Sequence, residues 1–404
     1  MPNKKTIIFL GDGMADEPIA ELGGKTPLQA ASTPAMDSIA RSGCSGTLFT
    51  LPDGFPTSSE VANMSVFGCD LSAEYSGRGP IEAAGRCIPL GKDDIAFRVN
   101  LVTQREGILT DFSGGHLPQE NAEELIELLN AAFGRDDVRF HTGLSYRNLL
   151  ILSGPEFSTE ISTEKPDDNH GEAVDDHLPR ATSPGAETTA SFLRRLIHEA
   201  PSVLDAAPAN LIALDSGHDP ANGIWPWSGG RAAEMRSLRE KYAISSAVIS
   251  AVDVIMGLGR CLGMDVVNVP GATGYIDTNY EGKAEAAIRE LKTHDLIYLH
   301  IEAIDEVSHA QDLDLKFKTI EDFDSRIVAP VLEAIEDSVN VAVLPDHPVP
   351  IASGKHTRTP VPVAVRMAAR PPDGVQVFDE QACLAGSLGA MAGPDFMNLL
   401  FPAE

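Results

Sequence analysis

The stretch VAVLPDH, residues 341–347, decides how this chain reads. An apolar, strand-forming run delivers Asp346 and His347 side by side at its end, and Pro348 stops regular structure beyond them. Nine residues on, His356 stands in GKHTRTPVPVAV, and upstream the segment AIDEVSHAQD carries Asp305 and His309 four positions apart. Residues at i and i+4 share one helical face, so Asp305 and His309 suit a single ion. Carboxylates and imidazoles gathered near strand ends are the ligand chemistry of divalent metals. A lone Asp-His pair is as well explained by a loop cap; five such residues between positions 305 and 356 are not.

Toward the N-terminus, TIIFL at 6–10 is a continuous apolar run rich in β-branched residues and predicts a buried parallel strand. It ends in Gly11-Asp12-Gly13. Open α/β sheets place ligand-contacting groups at the carboxyl ends of their strands, which makes Asp12 a further candidate. Thr33-Pro34 opens a helix over 35–42, with Thr33 as N-cap. Pro56-Thr57-Ser58-Ser59-Glu60 puts Ser58 or Ser59 at a helix N-terminus, where backbone amides favour an anion or an alkoxide. Thr57 and Ser58 read as caps, and Ser59 as a nucleophile activated by a metal without a histidine base.

The chain alternates strands and helices at both ends and changes texture in the middle. Strands at 95–102, 138–140 and 146–152, helices at 119–132 and 186–199, and a polar loop at 165–180 predict a smaller α+β domain over residues 87–214. Residues 1–86 and 215–404 form the larger domain, an α/β fold with a mostly parallel sheet and helices on both faces. From Ala209 the alternating texture returns, with strands predicted at 210–214, 265–269, 296–301 and 339–344, and 361–366 as the last. Helices are expected at 245–262, 281–293 and 314–333. The segment IWPWSGGR, 224–231, holds both tryptophans and reads as an aromatic hinge.

Several cationic or polar groups are candidates for an anionic substrate. Arg78 lies on a glycine-rich turn, Arg98, Asn100 and Arg147 fall on or beside strands of the insert, and Arg231 follows the tryptophans. Lys283 stands in the first turn of a helix, against the dipole, a position that favours a partner anion.

A net charge of −28 over 404 residues argues against nucleic acid and anionic membrane as partners. No segment has the length and apolarity of a membrane span, and five scattered cysteines without a CxxC read as reduced thiols of a cytoplasmic protein. Oligomeric state is left open by the sequence.

Together these segments resemble the cofactor-independent phosphoglycerate mutases of the archaeal type, within the alkaline phosphatase superfamily. The resemblance spans nearly the whole chain. It rests on GDGMAD (11–16), TSSEVAN (57–63), SGRGPIEAAG (76–85), AFRVNLVT (96–103), GATGYIDTNY (271–280), AIDEVSH (303–309) and PDH (345–347). It implies an alkaline-phosphatase-like sheet with an inserted lid, and two divalent ions, Mn²⁺ first, with Zn²⁺, Co²⁺ or Mg²⁺ as alternatives. Asp305, His309 and His356 would hold one ion; Asp12, Ser59, Asp346 and His347 would hold the other. Ser59 would carry the phosphoryl group of a phosphoglycerate, and arginines of the lid would hold the carboxylate, a step of glycolysis and gluconeogenesis. The chain departs from the family's usual Gly-Ser-Asp at Ser58-Ser59-Glu60, and from an acidic residue at Thr359. A bacterial subgroup proposed to be homoserine kinases shares the IWPW segment and the length, so transfer to homoserine, or to water as a phosphatase, is the alternative on the same site.

Overall fold

The computed structural model describes residues 5–115, 117–232 and 234–402. The chain divides into two compact units, Met1–Tyr75 with Met235–Glu404, and Ser76–Glu234. In chain order the strands begin with β1 (Thr6–Gly11) and β2 (Cys44–Phe49). The inserted unit then supplies β3 (Asp94–Arg105), β4 (Ile108–Asp111), β5 (Val138–Leu144), β6 (Arg147–Ser153), β7 (Ile161–Ser162), β8 (Arg180–Ala181) and β9 (Gly223–Gly230). The larger unit resumes with β10 (Ser246–Ile249), β11 (Asp265–Val267), β12 (Leu296–Ile301), β13 (Asn340–Leu344), β14 (Val361–Arg366) and β15 (Gly389–Ala392).

The larger unit is built on one sheet of order β11-β10-β12-β1-β13-β14-β2-β15. All its neighbours pair in parallel except across β14, which runs antiparallel to both β13 and β2. The central strands are buried along their whole length, which is why they read as unbroken apolar runs rather than as alternations. Alternate residues face opposite sides of the sheet. Ile7, Phe9, Leu299, Val341 and Val343 pack with Met36, Ile39, Tyr280, Ala284, Ile320 and Phe323 from helices on one side. On the other side Phe67, just past the helix Ser59–Val66, meets Tyr298 with ring centroids 4.4 Å apart. Gly259 of the helix Asp253–Cys261 packs there too; a Cβ on it would stand 2.5 Å from Val248 Cγ1, so only glycine lets this helix lie so close.

The inserted unit is an antiparallel sheet in which β3 pairs with β6 and β9, β6 with β5, and the end of β3 with β4. Leu125, Ile126 and Leu129 of the helix Gln119–Phe133, and Leu193, Leu196 and Ile197 of the helix Glu187–Leu204, close its core over Ile95, Val99, Leu150 and both tryptophans.

Several expectations are corrected. The insert runs from Ser76 to Glu234, not over 87–214. Its last strand, β9, pairs with β3 from Ala96 to Val102, so the segment of both tryptophans is sheet, not a hinge. Residues 210–214 are helical within Pro208–Asp215. Residues 245–262 are two elements, β10 and the helix Asp253–Cys261, because SAVI pairs with β12 before Asp253 starts the helix. The helix expected over 314–333 is Leu313–Phe323, a π turn at Asp324–Val328 and Ala329–Ala334. Asp324 takes the capping role expected of Thr33: its carboxylate accepts from Ala35 N at 3.1 Å and Met36 N at 2.7 Å, while the Thr33 side chain makes no cap bond. Residues 361–366 are not the last strand, since β15 adds beside β2. Among the described residues no helix is long and apolar enough to cross a membrane.

Candidate metal centre

The candidate ligands converge at the carboxyl ends of β12, β1 and β13, three adjacent strands in the middle of the larger sheet. Asp12 follows β1, Asp346 and His347 follow β13, and the helix Ala303–His309 follows β12 after Glu302. Asp12, Asp346 and His347 are fully buried, and Asp305 is 4% exposed. Gly13 lets the first loop approach the third. Its φ is +64°, and a Cβ there would stand 2.8 Å from Asp305 Cα, so both conformation and space require glycine.

Asp346 is the most heavily fixed carboxylate. Its Oδ1 accepts from Gly13 N at 3.2 Å and from His347 N at 2.8 Å, and its Oδ2 from Asn63 Nδ2 at 2.9 Å. Asn63 also donates to Ser59 O at 2.8 Å and accepts from the Tyr298 hydroxyl, which ties the helix Ser59–Val66 to the end of β13. Ser59 is the first residue of the helix Ser59–Val66, with Oγ 3.3 Å from His347 Nε2. Ser58 occupies the N-cap but makes no cap hydrogen bond.

Burial, then the charges of Asp346, Glu302 and Asp305, push Asp12 well above the usual carboxylate range. Burial likewise pushes Asp346 up to about 7, against opposing hydrogen bonds. Asp305 is also penalised by burial, but His309 and His356 outweigh it and hold Asp305 well below its ordinary value. So much carboxylate in one dry pocket must be neutralised, by protons or by positive charge beside it.

The histidines give a direct test of whether a cation fits. His309 Nδ1 lies 2.7 Å from Gly354 O, and His356 Nδ1 lies 3.1 Å from Thr57 O. A carbonyl only accepts, so each ring keeps its proton on Nδ1. The two Nε2 atoms then face each other at 2.9 Å, with Asp305 oxygens 3.2 Å from His309 Nε2 and 3.4 Å from His356 Nε2. Two imidazole nitrogens and a carboxylate converge on one point, a donor set that a divalent ion matches where it replaces the protons between them. The donor set therefore fits a divalent ion. Asp12, Asp346 and His347 form a second group with donor atoms within 4.8 Å of one another, beside Ser59. His347 and His356 stack with centroids 3.9 Å apart, so the two groups adjoin.

Sequence reasoning missed His300. Asp12, His300 and Glu302 form another group with donor atoms within 4.8 Å, all buried. His300 Nε2 lies 2.9 Å from Asp12 Oδ2, and burial, with Lys283 nearby, lowers its pKa to about 3. Lys283 is itself buried, its Nζ 3.4 Å from His300 O, and burial lowers it to about 8 against the pull of Glu302.

Within the inserted unit, the candidate arginines fall into two sets. Glu82 Oε1 accepts from Arg78 Nε at 2.6 Å and from Arg98 Nη1 at 2.5 Å. Burial raises Glu82, but Arg98, Arg78 and Arg147 together bring it below its ordinary value. Three guanidiniums around one carboxylate leave a local excess of positive charge in a chain of net charge −28. Arg78 is not on a turn but opens the helix Arg78–Gly85. Arg231 and Asn100 are engaged elsewhere. Arg231 donates to Phe157 O at 3.1 Å and Lys92 O at 3.4 Å, and Asn100 joins Trp227 Nε1 at 3.0 Å to Phe112 O at 3.0 Å.

The family model of the 2,3-bisphosphoglycerate-independent phosphoglycerate mutases matches residues 40–210. A mutase of that name from Methanosarcina acetivorans is 48% identical over 98% of this chain and 99% of its own length. A probable one from Geobacter sulfurreducens is 43% identical over 98% and 99%. Among solved structures, a Pyrococcus horikoshii protein aligns with a TM-score of 0.82 at 27% identity, covering 99% of this chain and 97% of its own. The cofactor-independent phosphoglycerate mutase of Thermoplasma acidophilum aligns at 0.64 and 29% identity, covering 98% of each. With relatives this similar along almost its entire length, the chain belongs to the 2,3-bisphosphoglycerate-independent phosphoglycerate mutases.

Proposed function

We propose that this chain interconverts 3-phosphoglycerate and 2-phosphoglycerate through a phosphoserine at Ser59, the mutase step of glycolysis and gluconeogenesis. The observation that carries this reading is Ser59 Oγ at a helix N-terminus, 3.3 Å from His347 Nε2 and beside the carboxylate–imidazole groups. Asp305, His309 and His356 hold one divalent ion, and Asp12, Ser59, Asp346 and His347 hold a second; mixed carboxylate and imidazole donors suit Mn²⁺ best. Bound ions of this kind polarise phosphoryl oxygens and favour the alkoxide of a coordinated serine.

Ser59 Oγ attacks phosphorus, the bond from phosphorus to the glycerate oxygen breaks, and that oxygen takes a proton. The neighbouring hydroxyl of the same glycerate then loses its proton and attacks the phosphoserine, and the Ser59 oxygen leaves. Asn63 holds Ser59 O and Asp346 Oδ2 at 2.8 and 2.9 Å, which keeps the nucleophile's turn and the carboxylate in fixed relation through both steps. Arg78, Arg98 and Arg147 give the inserted unit a charge suited to a carboxylate.

The test is to load the purified protein with Mn²⁺, supply 3-phosphoglycerate without 2,3-bisphosphoglycerate, and follow 2-phosphoglycerate. Interconversion is expected. Absence of it, with ATP-dependent formation of phosphohomoserine, would overturn the reading.

A further inference from the structure

One fully buried group beside the centre has no part in the steps above. His300 is on β12, is 0% exposed, and lies between two polar neighbours. Its Nε2 is 2.9 Å from Asp12 Oδ2, and its Nδ1 is 3.1 Å from Ser250 Oγ. Ser250 follows β10 and accepts from Val252 N at 3.1 Å. Because β10, β12 and β1 are neighbours, with Ile249 opposite Leu299 and His300 opposite Leu10, these bonds run straight across the ends of three strands.

The direction of each bond follows from its chemistry. As an ionised metal ligand Asp12 only accepts, so His300 carries its proton on Nε2 and donates to Asp12 Oδ2. Lys283 Nζ lies 3.4 Å from His300 O, and Nδ1 is the ring atom that faces Ser250. The Ser250 hydroxyl, one lone pair of which takes the Val252 N–H, donates to it. With Oδ2 so held, Asp12 Oδ1 accepts no hydrogen bond among the described residues and lies 3.4 Å from His347 Nε2, on the side of Ser59.

We propose that His300 is a positioning residue: it holds Asp12 Oδ2 so that Oδ1 is the oxygen offered to the ion beside Ser59, and Ser250 fixes the tautomer that allows it. This rests on the reading of Asp12 as a metal ligand. Groups that orient a ligand from outside the coordination shell typically govern affinity by about 10–100-fold. A packing role alone would make size, not hydrogen bonding, the property that matters at position 300.

The experiment is calorimetric titration of the metal-free protein with Mn²⁺, beside wild type, for His300→Ala, His300→Gln, Ser250→Ala and the Ser250→Ala/His300→Ala double variant. His300→Ala should weaken one of two sites by about 10–100-fold and leave the other unchanged. His300→Gln, which keeps a donor, should recover most of the loss. Ser250→Ala should weaken the same site several-fold, with no further loss in the double variant. Wild-type affinity in His300→Ala, or a Gln variant as weak as the Ala one, would overturn the proposal. If His300→Ala does not fold, wild-type binding at both sites in Ser250→Ala overturns it as well. Failure of the wild-type protein itself to bind Mn²⁺ would instead remove the metal reading, and the proposal with it.

Discussion

Ser59 Oγ and His347 Nε2 lie 3.3 Å apart although 288 positions separate them in the chain. The helix that begins at Ser59 and the strand that ends before His347 are joined at this point by Asn63, which bonds both Ser59 O and Asp346 Oδ2. The arrangement distinguishes two adjacent serines that look alike in sequence. Ser58 Oγ is buried without a hydrogen-bond partner among the described residues, and Ser59 Oγ faces the imidazole. Ser59→Ala should lower mutase kcat by about 10⁴-fold or more and abolish incorporation of labelled phosphate. Ser58→Ala should retain most of the activity. A phosphopeptide map locating the label on Ser58 would reverse the assignment.

Asp346 accepts from Gly13 N, His347 N and Asn63 Nδ2. Asp346→Asn removes its charge while nearly preserving its shape. Elemental analysis of the dialysed variant should show one ion per chain where the wild type holds two, with mutase activity lost in parallel. Two retained ions and full activity would remove Asp346 from the ligand set.

Tyr298→Phe deletes the hydroxyl that Asn63 Oδ1 accepts from in a buried setting. An orphaned buried acceptor costs about 1–3 kcal/mol, to be read from urea unfolding of the metal-free protein. A smaller loss in mutase rate than in stability is expected, because Asn63 keeps its bonds to Ser59 and Asp346.

Lys283 is lowered to about 8 by burial, with Glu302 pulling the other way. The unfolded lysine titrates near 10.4, so between these values the unfolded state binds more protons and stability rises with pH. Below about 8 both states are charged and the burial penalty is fully present. Lys283→Met should raise the stability of the metal-free protein near neutral pH, and should lack the gain, on the order of 3 kcal/mol, between pH 8 and 10. Urea unfolding at the two pH values measures both. Parallel pH profiles for variant and wild type would show that Lys283 is not the group responsible.

Glu82 neutralises part of a three-arginine cluster, and Arg98 is 4% exposed. Glu82→Gln leaves a buried guanidinium without its counter-charge, at a cost of about 3–5 kcal/mol. If this cluster takes the carboxylate of substrate, added 3-phosphoglycerate should raise the melting temperature of the variant more than that of the wild type. Equal shifts would separate the cluster from substrate binding.

The candidates Asp12, Asp346 and His347 were legible because each follows an apolar run that could only be a buried strand: TIIFL before Asp12, VAVL before Asp346 and His347. His300 was hidden by the same rule. It sits inside the run LIYLHI, where periodicity marks a core strand and says nothing of which polar residue the core keeps. Its signal was available in principle, since a histidine in a strand buried on both faces must have a partner. The reversed direction of β14 was beyond reach, because an apolar pattern reads alike from either end. The insert's true limits depend on Ala96 to Val102 pairing with Gly223 to Gly230, a contact that no local pattern encodes. The cap on the helix Pro34–Ser42 comes from Asp324, 289 positions from Ala35.

The contact between Gly13 and Asp305 sets a ruler for the chemistry. The loop carrying Asp12 and the helix carrying Asp305 touch at main chain, where a single added methyl would overlap Asp305 Cα at 2.8 Å. The separation of the two candidate ligand groups is thus a backbone dimension at this point. Exchanging side chains in these groups would change which donors they offer, but it would leave the gauge between the groups where glycine put it.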